Sequence, residues 1–232
     1  MTLLIIGILY RFLLSLRYSI TFKNPDLLAS GKPTLFLSNH LALVDPQILV
    51  SHMYRYRPVA PVITDEYTKI PGLRWFFKRI HAIPVSNLEN GSRDTEVMNK
   101  IKKRVINNLN KGINILLYPS GRLSDSGSES IGNKRSAYEI VCSLSPEVRI
   151  VGVRISGLWG SRFSKARTGK TPSLLNAYSR SFLFALSHLF FFMPHRNVLV
   201  ELNDITDDAK KYCSDNRQEL NRYLENYFNN KS

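Results

Sequence analysis

The chain has 232 residues, with 32 Lys and Arg against 18 Asp and Glu and a formal charge of +14. That length suits a single domain with a real core and argues against a second catalytic domain. The cationic excess points to an anionic partner, whether lipid headgroups, nucleic acid, a phosphorylated substrate or an acidic carrier protein, and does not choose among them.

The opening stretch "MTLLIIGILYRFLLSLRYSI" is apolar nearly all round but is interrupted by Arg11 and Arg17. It has neither the basic start nor the small-residue cleavage site of a secretory signal, and its uninterrupted apolar run is well short of the ~20 residues needed to span a bilayer. The expectation is an interfacial helix with snorkelling arginines over residues 1–22, followed by one domain over 23–232.

Six β-rich runs follow: "TLFLS" (34–38), "VAPVI" (59–63), "AIPVS" (82–86), "INILLYP" (113–119), "RIVGVRI" (149–155) and "NVLVEL" (197–202). Most lack strict alternation, as strands covered on both faces do. Helical patterns lie between them. The clearest runs from Arg93 to Lys111, with Val97, Ile101, Val105 and Leu109 on one face and Gly112 beyond its end. Another reaches the C-terminus, with Leu220, Tyr223, Leu224, Tyr227 and Phe228 in one stripe. The alternation predicts an α/β protein with a mixed, largely parallel sheet flanked by helices. "SDSGSESIGNKRS" (124–136) reads as a surface loop. The apolar run "FLFALSHLFFFM" (182–193) is too short to span and reads equally as a buried core helix or as a segment dipping into a membrane.

In α/β sheets, functional groups collect where strands end and helices begin. Two polar clusters stand at such ends: "SNHLALVD" after the first core strand and "YPSGRLSDSG" after the fourth. His40 and Asp45 across a turn would form a dyad in which the carboxylate takes the Nδ1 proton and leaves Nε2 free to deprotonate a hydroxyl, which suits attack by an alcohol on an activated acyl group. The second cluster offers Gly121, whose surroundings are expected to supply oxyanion donors, and Arg122, a planar cation suited to phosphate.

The ordered blocks "NHLALVD", "HAIPVSN", "YPSGRLS" and "VGVRISG" resemble those of the glycerophospholipid acyltransferases, the lysophosphatidate acyltransferase family. The chain is most similar to the acyltransferase portion of bacterial bifunctional lysophosphatidylethanolamine acyltransferase and acyl-carrier synthetase proteins, whose third block also runs directly from glycine to arginine. The resemblance implies an acyl-CoA or acyl-carrier-protein donor, a lysophospholipid or glycerophosphate acceptor, and action at the cytoplasmic face of a membrane with a monotopic or peripheral attachment. It implies no cofactor, no metal and no nucleic-acid partner. It makes His40 the general base, Asp45 its orienting partner, and Asn39, Ser120, Gly121, Arg122 and Arg79 the residues near substrate. Three positions depart from the pattern: Asn87 where the second block usually ends in arginine, with Arg79 or Arg93 as replacements; Ser120 where glutamate is usual; and Gly152 where proline is frequent. The loss of the glutamate favours, as an alternative, a non-catalytic lipid-binding relative.

Other residues have plainer expectations. His52 is read as a packed or surface histidine, and His81, His188 and His195 lack acidic partners at metal spacing. Trp75, Phe76 and Phe77, followed by Lys78 and Arg79, suit either a core or a lipid interface. Cys142 and Cys213 offer no disulfide framework and no ligand spacing, which makes a reducing cytosolic setting the simplest one.

Overall fold

Leu35, Phe36 and Leu37 stand in a row with no polar residue between them, so a strand containing them is stable only between two apolar layers. In the computed structural model, which describes residues 2–85, 95–189, 192, 194–214 and 216–230, they form β2 (Thr34–Ser38), fully buried at the centre of a seven-stranded sheet. Its neighbours are β5 (Asn114–Leu117) and β6 (Arg149–Ser156), both parallel to it. β3 (Val59–Thr64) and β4 (Ile83–Val85) continue the parallel set beyond β5. On the other side β7 (Arg196–Asp204) runs antiparallel to β6, and β1 (Tyr18–Lys23) lies parallel to β7 at the edge. The order β1-β7-β6-β2-β5-β3-β4 is the mixed, largely parallel sheet expected from the strand-helix alternation.

Each face of the sheet carries its own apolar layer. One joins Phe36, Leu116, Val151, Val153 and Val200 to α1 (Thr2–Ser15), α3 (Asp45–Met53) and α7 (Leu174–Ser187) through Leu14, Ile48, Leu49, Met53 and Ala177. The other joins Leu35, Leu37, Ile115, Leu117 and Ile150 to α5 (Thr95–Asn110), α6 (Ser136–Val141), α8 (Thr206–Lys211) and α9 (Arg217–Asn229). The fourth-residue stripe of α5 delivers Ile101, Val105 and Leu109 to this layer, and a fully buried side chain of that size contributes about 1.5–3 kcal/mol. Short helices α2 (Asp26–Ala29) and α4 (Leu73–Arg79) complete the set.

Three expectations are corrected. The N-terminal helix stops at Ser15, and residues 18–23 form a sheet strand whose Tyr18, Ile20 and Phe22 turn inward while Ser19, Thr21 and Lys23 turn out. That alternation was present in "YSITFK" but was masked by the apolar run before it. The run beginning at Phe182 is not a buried core helix, since Phe182 is 59% and Leu183 62% exposed, and of α7 only Ala177 and Ala185 are buried. Residues 190, 191 and 193 of that run lie outside the described residues. Finally, Cys142 and Cys213, 71 positions apart and at the ends of α6 and α8, are joined by a disulfide with their Cα atoms 5.4 Å apart. Sequence spacing does not report this, because the pairing depends on two helix ends meeting beneath the sheet.

Gly152 also finds its reason here. A Cβ at this position would lie 2.5 Å from the Tyr227 ring, and the Tyr227 hydroxyl donates to the Gly152 carbonyl at 3.0 Å. The helix α9 therefore packs directly on the bare backbone of β6.

Candidate active site

β2 ends at Ser38, and the chain must then turn from a buried strand into α3. Asn39 makes the first tie: its Nδ2 donates to the Ile155 carbonyl at 2.9 Å and its Oδ1 accepts the Ile155 N–H at 2.8 Å. The turn that follows leaves backbone donors facing inward, and Asp45, fully buried at the start of α3, collects them. Its Oδ2 accepts the N–H groups of Leu41 at 2.6 Å and Ala42 at 2.9 Å, and meets His40 Nδ1 at 3.1 Å. With Nδ1 facing a carboxylate, the proton belongs on that nitrogen and Nε2 is the acceptor. The His40 side chain is 15% exposed, and its other face stacks on the Tyr118 ring with centroids 4.2 Å apart.

The second cluster follows β5. Gly121 takes the left-handed conformation, φ 64°, that closes the turn, and its N–H donates to the Tyr118 carbonyl at 3.0 Å. The Ser120 hydroxyl donates to the Arg122 carbonyl at 2.9 Å. Arg122 is nearly half exposed and reaches Asp125 at 3.2 Å, while Lys165 reaches the other oxygen of Asp125 at 2.7 Å. These bonds hold the Asp125 carboxyl below its usual range, with the Lys165 hydrogen bond the largest cause.

The structure thus joins His40 to Asp45 and sets the Ser120–Arg122 turn beside them through the Tyr118 ring and the Ser124 N–H; the other expectations are corrected. Asn39 is buried with both ends of its amide on β6, so it ties the sheet and presents nothing to a substrate. The Gly121 N–H itself is turned back onto the Tyr118 carbonyl, so the oxyanion donors expected near this residue do not include it. Arg79 sits where α4 leads into β4, its guanidinium 6.0 Å from the Trp75 ring and its charge felt by Tyr54 at the far end of α3 from Asp45. A helix of that length separates them by about 13 Å. Asn87 and Arg93 lie outside the described residues. His52 is the packed histidine expected: it bonds the Ile48 carbonyl and stacks on Phe22, and burial pushes its pKa down. Among the described residues no cluster of His, Cys, Asp or Glu is arranged to hold a metal ion.

Tyr118, Ser124, Glu129 and Lys165 were not singled out from sequence. The segment 124–136, read as a surface loop, carries Ser124 and Glu129 buried against the His40 turn. Its serine- and glycine-rich composition gave no hint of that, although a lone glutamate flanked by small residues is the one signal it held.

Beside the His40 turn lies a cleft of about 340 Å³ whose walls include Val44, Phe163, Phe182 and Leu13, with Tyr10 and Tyr178 both bonded to Gln47. Arg17, Arg162, Arg167 and Arg196 line it too. A larger polar hollow of about 500 Å³, between Pro146–Arg149 and Asp204–Asp208, is at the opposite end of the sheet from His40.

A sequence model of the family described as Acyltransferase matches residues 19–156. The chain belongs to the acyltransferase family. The matched segment begins at the second residue of β1, takes in the His40–Asp45 turn and the Arg122 turn, and ends with β6. The fold is similar to that of the 1-acyl-sn-glycerophosphate (LPA) acyltransferase PlsC from Thermotoga maritima, at a TM-score of 0.56 and 16% identity over 96% of this chain and 76% of that one. No curated protein matches the sequence.

Proposed function

We propose that this acyltransferase moves a fatty acyl group from an acyl thioester to the hydroxyl of a lysophospholipid or glycerophosphate at a membrane surface. The observation that carries the reading is the buried Asp45 carboxylate on His40 Nδ1 at 3.1 Å. In the mechanism, Nε2 of His40 takes the proton of the acceptor hydroxyl as its oxygen attacks the thioester carbonyl. The tetrahedral intermediate collapses with loss of the thiolate, and the proton returns to the sulfur. Asp45 keeps the ring in the required tautomer and offsets the imidazolium charge. Arg122, with Lys165 near it, is the cation pair for an acceptor phosphate.

The name of the Thermotoga protein supports a lysophosphatidate-type acceptor, and the likeness of the third block to the bifunctional lysophosphatidylethanolamine enzymes keeps acyl carrier protein beside acyl-CoA as donor. Membrane attachment is argued from exposed apolar side chains. Ile8, Leu9 and Phe12 on α1, and Leu183 and Leu186 on α7, are each more than half exposed, and the two helices flank the cleft beside the His40 turn. No described helix is long and apolar enough to cross a membrane, so the attachment proposed is monotopic or peripheral. The proposed side is the cytoplasmic one, where acyl thioesters are supplied.

The test is to incubate purified protein in mixed micelles with acyl-CoA or acyl-carrier-protein donors and a panel of lysolipids, and to identify products by mass. His40→Ala and Asp45→Asn should each lower turnover by about 100-fold or more while the fold is kept. Wild-type rates in folded His40→Ala, or no product from the wild type with any pair, would sink the proposal, and the second result would point to a lipid-binding relative.

A further inference from the structure

The His40 main chain is gripped from a direction that the dyad does not explain. Its N–H donates to Glu129 Oε2 at 2.9 Å, and its carbonyl accepts the Ser124 N–H at 2.7 Å. Both polar groups of the histidine backbone are thus bonded by one loop. Glu129 is only 3% exposed, its Oε1 has no hydrogen-bond partner, and no Lys or Arg among the described residues pairs with it. Burying a carboxylate with half its acceptors unmet opposes folding. A carboxylate buried against that opposition is most simply explained by what it holds in place.

Glu129 is itself held from the end of the fold. Its N–H donates to Asn229 Oδ1 at 2.7 Å and its carbonyl accepts from Asn229 Nδ2 at 2.9 Å, so one amide side chain clasps it as a neighbouring strand would. Two further residues of α9 secure the following turn. Glu225 accepts the N–H groups of Ile131 and Gly132 at 2.6 and 2.8 Å, and Asn221 donates to the carbonyls of Gly132 and Lys134 at 2.8 and 2.9 Å. α9 lies wholly outside residues 19–156, the part that carries the family pattern.

We infer that Glu129 is a positioning residue that fixes the His40 backbone, and that α9, through Asn229, is the element that seats it. The inference rests on the proposed role of His40. A base must be held within about 0.5 Å of its productive position, and a displacement near 1 Å is enough to cost about 100-fold in rate. Asp45 fixes the ring through Nδ1 and the next two amides; Glu129 fixes the residue from the strand side. Neither Glu129 nor Asn229 is asked to touch substrate, so the effect belongs in kcat.

The experiment uses the full chain with Glu129→Ala, Glu129→Gln and Asn229→Ala, measuring steady-state rates and hydrogen exchange of the segment around His40. Glu129→Ala should lower kcat by about 10- to 100-fold with both KM values within about twofold. Glu129→Gln keeps an oxygen for the His40 N–H and should stay within about threefold of wild type. Asn229→Ala should fall between them, and the His40 segment should exchange faster in both alanine variants but not in the glutamine one. Wild-type kcat in Glu129→Ala, a loss confined to KM, or unchanged exchange around His40 would overturn the inference. If Glu129→Ala does not fold, Asn229→Ala, whose side chain is at the surface, decides by the same criteria. A wild type inactive with every donor and acceptor would instead refute acyl transfer, and exchange would still decide whether Glu129 and α9 hold the His40 backbone.

Discussion

Glu129 separates stability from function in a way that pH makes visible. Burial, the largest cause, pushes its carboxyl above the ordinary 4.5, with the Asp45 charge adding to it, against the opposing influence of the nearby Ser120 hydroxyl, the His40 N–H bond and the His40 ring. A carboxyl whose pKa is raised in the folded state contributes stability that is fully present below pH 4.5 and is lost as pH rises through the folded value. Glu129→Gln removes that loss. Its melting temperature relative to wild type should therefore increase from pH 4 to pH 7, and a difference that stays flat across this range would contradict the burial argument. The second residue-scale expectation concerns Arg122, which shares Asp125 with Lys165. Arg122→Lys keeps the charge but loses the planar pair of donors, so the acceptor KM should rise while the donor KM holds. The advantage of a phosphate-bearing acceptor over a neutral monoacylglycerol should shrink as salt screens the site. Equal low-salt rates on the two acceptors would exclude phosphate recognition.

At the scale of elements, α1 and α7 form a part of the surface where exposed apolar area and arginines occur together. Arg17 and Arg162 lie 5.6 and 4.7 Å from the Phe184 ring, and the flanking Leu and Ile side chains point outward. Deleting residues 1–20 would be a poor probe, because Leu14 and Tyr18 are core residues and Tyr18 begins a sheet strand. Serine at Leu9, Phe12, Leu183 and Leu186 leaves the core intact. Each buried leucine-sized side chain is worth about 1.5–3 kcal/mol, so partitioning onto anionic liposomes should fall by at least about tenfold. Turnover of a dispersed short-chain acceptor should change far less. Equal partitioning of variant and parent in a flotation assay would remove both helices from the membrane surface.

Across the whole molecule, the Cys142–Cys213 bond closes a loop of 71 positions and joins α6 to the α8–α9 end of the chain, the same end that seats Glu129. It removes the basis for inferring a reducing compartment from cysteine usage. A loop of that length constrains the unfolded chain by about 4 kcal/mol on the entropic view, less whatever strain the native state carries. Reduction or Cys213→Ser should accordingly lower the melting temperature by several degrees. Alkylation of unreduced protein should label neither cysteine, and full labelling of both would show that the bond does not form under those conditions.

Six of the seven strands, and the helices α5 and α9, were legible in the sequence because their signal is local: an apolar row such as Leu35–Leu37 demands two covers, and the stripe of α5 demands one. The family blocks also named the His40–Asp45 turn, since only four residues separate the two side chains and a strand-to-helix turn folds that short stretch back on itself. Tertiary structure decided everything that depends on distant segments meeting. It drew Tyr18–Lys23 out of an apparent helix because β7 offered an unpaired edge, turned Asn39 toward Ile155 instead of a substrate, and put Arg79 at the wrong end of the sheet. It also joined two cysteines and carried Glu129, on the arm of the last helix, to the backbone of His40. Hydrophobic period and short-range hydrogen bonding are written into neighbouring residues, whereas a buried polar partner is chosen by whichever unsatisfied group the folded chain brings within about 3 Å.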